Sequence, residues 1–224
     1  MPKAFAPALA LAFALAPGAW HASVEAGTLR GKVQLVDKDG RRAADLADAV
    51  VWVEGPKVRP RPGSATIEMK NKTFQPRVVV VPVGGTVEFP NADPVFHNVF
   101  SASGENHFDL DLYKKPKSGA WTFRYPGLVR VYCNIHPQMS AYVLVRDNPF
   151  WARPAADGNF EIADVPPGSW VLKAWHERTG ETSQAVTVSE TGAAPVALTL
   201  DASKWKHAPH KNKFGKDYEA GEKY

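Results

Sequence analysis

The chain has 224 residues, a length that suits one large domain or two small ones. Hydrophobic residues make up 44% of it, which excludes a disordered chain, and its 19 prolines and 17 glycines favour a turn-rich β protein over a helical bundle. For a chain predicted to be exported, a net charge of only +4 argues against nucleic acid as a partner.

The N-terminus carries a predicted export signal. Lys3 precedes an apolar run over residues 4–16, which a Pro-Gly pair ends. The run is too short for a permanent membrane span, and Val24-Glu25-Ala26 offers small residues for cleavage. We therefore predict a signal peptide over residues 1–26 and a mature protein in the periplasm or outside the cell. Cleavage after Ala22, or a retained N-terminal membrane anchor, is the alternative.

Two separated stretches of sequence resemble the two halves of one β-sandwich. Residues 28–55 contain Gly31-x-Val33, an Asp-Gly turn and the strand VVWVEG, and residues 157–188 contain Asp157-Gly158 and a later Val-Pro-Pro-Gly turn. In this order the motifs resemble the carboxypeptidase regulatory-like, or transthyretin-like, family. The resemblance implies that residues 27–55 and 155–200 form one split domain.

The intervening sequence predicts a second β-sandwich. Short strands such as TVEFPN and LVRVYC alternate with turns at Gly84-Gly85 and Pro126-Gly127 over residues 65–146. Surface loops whose ends lie close together tolerate inserted domains, so residues 56–154, with a Pro-rich connection at each end, are predicted to be inserted into the first sandwich. A tandem arrangement of two domains is the alternative.

Residues 201–224 form a basic tail, with six lysines against four acidic residues. A short basic segment is typically a solvated extension. The alternative is an arm that docks across another domain and is anchored by Trp205 and Phe214.

Four side chains in the second sandwich have the chemistry of a copper site. His97 lies in PVFHNVFS, and Cys133, His136 and Met139 follow in YCNIHPQM. Two imidazoles, a thiolate and a thioether form the ligand set of a mononuclear type 1 (blue) copper site, in which methionine is the weak axial ligand. Zinc is disfavoured because structural zinc sites rarely use a thioether. The sequence therefore predicts one copper ion, cycling between Cu(I) and Cu(II).

The same motifs resemble the cupredoxins, and the amicyanin type in particular. The matching features are the Cys-x2-His-x2-Met loop with Pro137 after its histidine, and the His97-Asn98-Val99 segment. The resemblance implies a Greek-key β-sandwich. It also implies that Asn98 hydrogen-bonds across the site and that His136 lies at an electron-transfer port formed with Pro94 and Phe96 as well as Pro137.

These expectations favour an all-β, non-enzymatic electron carrier. Redox proteins are its expected partners, and the amicyanin resemblance suggests a dehydrogenase or a cytochrome among them. Proteins of this composite kind are sometimes named for methylamine utilisation. No nucleic-acid partner and no permanent membrane span are expected. The alternative is a non-redox module for copper delivery or storage, or for binding protein or carbohydrate. A copper-loop motif identifies the metal ligands but does not identify the function of the protein.

Overall fold

A computed structural model describes residues 26–38, 43 and 45–218. All of the predicted signal peptide except Ala26 lies outside the described residues, as do the Asp-Gly turn at positions 39 and 40 and the end of the basic tail. Nowhere in the described part is there a helix long and apolar enough to cross a membrane.

The all-β prediction is confirmed. In the described residues, short 3-10 turns at Leu46–Asp48 and Gly104–Asn106 accompany the strands. The strands are β1 (Gly27–Val36), β2 (Val50–Glu54), β3 (Ser64–Thr66), β4 (Glu68–Lys70), β5 (Thr73–Gln75), β6 (Val78–Pro82), β7 (Thr86–Pro90), β8 (His97–Ser101), β9 (Phe108–Tyr113), β10 (Ser118–Thr122), β11 (Gly127–Tyr132), β12 (Ser140–Arg146), β13 (Trp151–Ala152), β14 (Asn159–Val165), β15 (Gly168–His176), β16 (Gly180–Val188) and β17 (Val196–Asp201).

The outer sandwich combines strands from both ends of the described chain. One sheet has the order β14-β1-β17 and the other the order β13-β2-β15-β16. Because side chains alternate between the two faces of a strand, β1 turns Leu29, Val33 and Leu35 into the space between these sheets, where Leu172 and Leu200 join one buried cluster. The two separated sequence stretches therefore share one hydrophobic core. Their assignment to the regulatory-like family stays a prediction.

The inner sandwich is built from β3 to β12, all of which lie in sequence between β2 and β13. A five-stranded sheet of order β6-β12-β11-β8-β9 faces a three-stranded sheet of order β10-β7-β3, and β4 pairs with β5 in a separate hairpin. Phe89 and Phe123 are fully buried between them, in the cluster that also contains Val131, Cys133 and Met139. The predicted copper ligands therefore lie at one edge of a packed core.

A third buried cluster joins the two sandwiches. Val50, Trp52 and Trp175 of the outer sandwich pack against Val78 and Leu144 of the inner one. The rings of Trp175 and Tyr142 lie 5.1 Å apart. Polar contacts between the sandwiches surround this cluster, and they join Arg77 to Glu177 and Arg153 to the Val78 carbonyl. The two sandwiches are thus held together by apolar burial as well as by charge.

Candidate metal centre

Two neighbouring strands and one loop carry the predicted ligands. His97 begins β8, and β8 pairs with β11 through Phe100 and Tyr132. Cys133 directly follows β11, and residues 133–139 form the loop that leads into β12. Because β11 and β12 are antiparallel neighbours, the two ends of this loop are held side by side at the edge next to β8.

The structure brings together His97, Cys133 and His136. Their donor atoms all lie within 4.8 Å of one another, and this is the one such cluster among the described residues. The two Nδ1 atoms are 3.1 Å apart, and Cys133 Sγ lies 3.7 Å from His136 Nδ1. The His97 and Cys133 side chains are fully buried, and His136 is 8% exposed. Two imidazole nitrogens and a sulfur converge here on one small volume.

Backbone hydrogen bonds within the loop hold Met139 close to Cys133 and His136. Its N–H donates to the His136 carbonyl (3.0 Å), and its own carbonyl accepts the Cys133 N–H (3.3 Å). The side chain is fully buried in the cluster that contains Cys133. The loop is therefore closed on itself, with Met139 inside. Its role as the axial ligand stays a prediction.

Asp93 fixes the orientation of the His97 ring, and sequence reasoning missed it. Its Oδ2 atom lies 2.8 Å from His97 Nε2, while its two carboxylate oxygens accept the backbone N–H groups of Asn71 (2.8 Å) and Lys72 (2.9 Å). Burial alone would raise the pKa of Asp93, but the hydrogen bonds from Lys72, His97 and Asn71 outweigh it, so the pKa is lowered. An ionised carboxylate can only accept, so Nε2 carries the proton.

When His97 is neutral, the lone pair of its Nδ1 atom is directed at His136 Nδ1. In the metal-free protein the two atoms can share one proton, and a cation bound between them would replace it. The residues present therefore fit a metal of the kind that binds imidazole and thiolate. In the sequence, the only indication of the contact between Asp93 and His97 was that the two residues are four positions apart.

Burial also keeps the other two residues of the cluster, Cys133 and His136, uncharged when no metal is bound. It raises the pKa of the Cys133 thiol, although the backbone N–H groups of Asn98, Ile135 and His136 favour the thiolate. It also lowers the pKa of His136 to about 4, and the charges of His97 and Lys72 add to this effect. At neutral pH His136 is thus a neutral imidazole, in which a bound cation would take the place of the proton shared with His97. The three N–H groups are already in place for a thiolate.

The side chain of Asn98 does not make the hydrogen bond that the family resemblance implied. Its amide nitrogen donates to the Asp109 carboxylate (2.6 Å) and to the Asp111 carbonyl (3.0 Å), both on β9. Its Oδ1 atom is buried with no partner among the described residues. The amide turns to β9 because that neighbouring strand offers acceptors. Only the backbone N–H of Asn98 faces the cysteine.

The three side chains of the predicted electron port are exposed. Pro94 and Pro137 lie at the surface, and Phe96 is 47% exposed with the Lys114 ammonium 5.1 Å from its ring centroid. The ring of His136 is less exposed than the resemblance implied. Apolar side chains that lie close in sequence to His97 and His136 are thus exposed, and their use as a port stays a prediction.

The basic tail lies against the inner sandwich, and the contacting residues are not the two predicted anchors. Trp205 is 40% exposed and Phe214 is 70% exposed. Instead, the His210 ring stacks on Tyr132 at 3.9 Å between centroids, and the Tyr218 hydroxyl donates to the Cys133 carbonyl at 2.7 Å. We call residues 205–218 the C-terminal strap. The described part of the tail is therefore not the solvated extension that was first expected, and its anchors are not the two of the alternative, because aromatic side chains with polar atoms make the contacts.

Comparisons with known proteins give partial structural matches. A copper-containing nitrite reductase from Thermus scotoductus SA-01 is 28% identical (TM-score 0.36), and the match covers 43% of this chain and 25% of that one. A purple cupredoxin from Nitrosopumilus maritimus is 24% identical (TM-score 0.34), with 37% and 99% covered. Amicyanin from Paracoccus versutus is 26% identical (TM-score 0.35), with 37% and 81% covered. No protein-family model and no curated protein sequence matches the chain.

Proposed function

We propose that this chain is an exported type 1 copper protein that carries single electrons between redox proteins. The observation that supports this most directly is the buried convergence of His97, Cys133 and His136, with all donor atoms within 4.8 Å. Copper suits this donor set because thiolate stabilises Cu(I) while imidazole accepts both oxidation states. Met139, buried beside Cys133, is the proposed axial ligand.

Electron transfer is favoured when the ligands move little between oxidation states, and several contacts oppose such movement here. Asp93 holds the His97 ring from behind, and two backbone hydrogen bonds close the loop between Cys133 and Met139. The ligand-bearing strands are part of the packed core that includes Phe89. These groups supply a preformed site, and a bound copper ion would supply the exchangeable electron.

The proposed partners are redox proteins that dock on the apolar surface of Pro94, Phe96 and Pro137. All three side chains are exposed, and Pro137 directly follows His136, the least buried of the three clustered residues. A partner that covers this surface would approach the metal without displacing the core. We place the protein in the periplasm or outside the cell, because the N-terminal sequence has the pattern of an export signal.

An absorption spectrum tests the proposal. Cu(II) added to the mature protein should produce an intense visible band from the Cys133 thiolate, and Cys133→Ser should abolish it. His97→Ala should weaken copper binding sharply. A protein that binds copper without colour would refute the type 1 assignment. A coloured protein with no reversible one-electron couple would favour copper delivery or storage.

A further inference from the structure

The C-terminal strap makes direct polar contacts around the proposed ligand loop. The Tyr218 hydroxyl donates to the carbonyl oxygen of Cys133 at 2.7 Å, and the backbone N–H of Lys213 donates to Asn134 Oδ1 at 2.9 Å. The Lys213 ammonium lies 2.6 Å from Asp109, which also accepts a hydrogen bond from Asn98. The strap thus touches the loop at Cys133 and its neighbour, and it reaches the residue that follows His97 through Asp109.

Aromatic contacts fix the position of Tyr218. His210 lies between two tyrosines. Its ring stacks on Tyr132 with planes 14° apart, and it meets the Tyr218 ring edge-on at 5.2 Å. His210 Nδ1 lies 3.0 Å from the Lys211 carbonyl and 3.2 Å from the Tyr218 hydroxyl. Since that carbonyl only accepts, Nδ1 carries a proton and can donate to both oxygens. The hydroxyl proton of Tyr218 is therefore free for the Cys133 carbonyl.

The hydroxyl stays a donor under all ordinary conditions. Burial raises the pKa of Tyr218, and the nearby Cys133 and Tyr132 add to the rise, so the phenol does not ionise near neutral pH. The acceptor belongs to the peptide group between Cys133 and Asn134. A donor on that carbonyl restricts rotation of the peptide plane directly beside the ligand side chain.

We infer that Tyr218 is a positioning residue for the ligand Cys133, and that the strap is part of the metal centre although it supplies no ligand. The inference rests on the proposed copper function and adds to it the residue that restrains the thiolate from outside the loop. Its hydroxyl directs a positive dipole at the Cys133 peptide, an interaction that favours the more electron-rich Cu(I) state. Loss of the hydroxyl should loosen the loop and lower the reduction potential.

The test compares Tyr218→Phe with Phe214→Leu in the full mature chain. The first change removes only the donor oxygen, whereas the second alters an exposed ring of the same strap whose one ring contact among the described residues is the Lys213 ammonium. Two measurements use the copper form, namely the rate of copper loss to a chelator and the reduction potential. A third uses the metal-free protein, namely the rate at which a thiol-alkylating reagent modifies Cys133.

In Tyr218→Phe, copper loss and alkylation of Cys133 should each be about fivefold faster than in the wild type, the effect of one lost neutral hydrogen bond. The reduction potential should fall and the visible band should shift. Phe214→Leu should match the wild type in every measurement. Circular dichroism of the metal-free variants checks that both fold.

Other results would refute either the positioning role of Tyr218 or the proposed copper function. If Tyr218→Phe matches the wild type in potential, copper loss and alkylation, the positioning role is refuted while the proposed function stands. If both variants change equally, packing of the strap and not the hydroxyl is responsible, which also refutes it. If the wild type binds no copper, the proposed function fails, and the alkylation rates of the metal-free proteins then report separately whether Tyr218 restrains Cys133.

Discussion

The Nε2 atom of His97 lies 2.8 Å from the carboxylate of Asp93, so the ring that begins β8 is oriented by a residue outside the strand. Asp93 is itself held by the two backbone N–H groups of the β4–β5 turn, at Asn71 and Lys72. Both turn residues have positive φ (54°), as in the tight turns that join antiparallel strands. The proposed ligand is therefore coupled to a hairpin that contributes no ligand.

This coupling predicts that Asp93→Asn lowers copper affinity by about tenfold or more, because the neutral amide no longer fixes the His97 tautomer. Competition with a chelator measures the affinity. Asp157→Asn is the matched control, since Asp157 also accepts a backbone N–H in a turn, but in the outer sandwich. It should bind copper like the wild type. Equal affinities for wild type and Asp93→Asn would contradict the role of the carboxylate.

Acid should destabilise the metal-free protein in a defined range of pH. Burial lowers the pKa of His136 to about 4 in the folded state, against 6.5 in the unfolded chain. The unfolded state binds more protons between these values, so the free energy of unfolding should fall as pH drops from about 6.5 to about 4, below which the contribution of His136 no longer changes. Burial also lowers the pKa values of His176 and His210, so these contribute to the same decline.

Urea unfolding at several pH values checks this prediction. In His136→Gln the free energy of unfolding should depend less steeply on pH in this range, because one titrating group has been removed. His107→Gln replaces an exposed histidine and should retain the wild-type slope. Identical slopes for wild type and His136→Gln would show that His136 is not the buried neutral group described above.

Met139→Gln should retain copper but lower its reduction potential, because an amide oxygen is a harder donor than a thioether and favours Cu(II). Voltammetry measures the potential. Met69→Gln makes the same substitution elsewhere in the inner core and should reduce stability without changing the potential. An unchanged potential in Met139→Gln would mean that Met139 is not the axial ligand.

The cluster between the sandwiches predicts a stability effect that both of them share. Trp175→Ala should lower the free energy of unfolding by about 3 kcal/mol, because it leaves a cavity against Val78, Leu144 and the Tyr142 ring. Urea unfolding followed by circular dichroism and by copper absorption should show the same shift. Trp151→Ala, at an exposed ring, should cost less than about 1 kcal/mol. An unshifted copper transition in Trp175→Ala would show that the sandwiches unfold independently.

Sequence reasoning worked where chemistry was local to one motif. The short spacing between Cys133 and His136 was enough to predict that these two side chains meet, and strand alternation was enough to predict that Cys133 turns inward. The Asp93 contact depends instead on Asn71 and Lys72, whose turn approaches only after β4 and β5 have packed. For Asn98 the local motif suggested a hydrogen bond across the metal site. Its side-chain amide instead donates to Asp109 and Asp111 on β9.

The strap was predicted poorly for a related reason. Residues 202–218 have no strand, so periodicity carries no information about their course. Hydrophobicity alone favoured Trp205 and Phe214 as anchors. The contacts made by His210 and Tyr218 require both ring packing and hydrogen bonding, and their partners at Tyr132 and Cys133 are distant in sequence.

The parallel pairing of β17 with β1 imposes an order on biosynthesis. Gly31 pairs with Val196, and Val36 pairs with Asp201. The outer sheet therefore cannot be completed until residue 201 has been synthesised, whereas every strand of the inner sandwich is available once residue 146 has emerged. Contacts between residues close in sequence form sooner than distant ones. The sandwich that carries the predicted ligands can thus fold first, and it would present a preformed surface on which the two halves of the other sandwich meet.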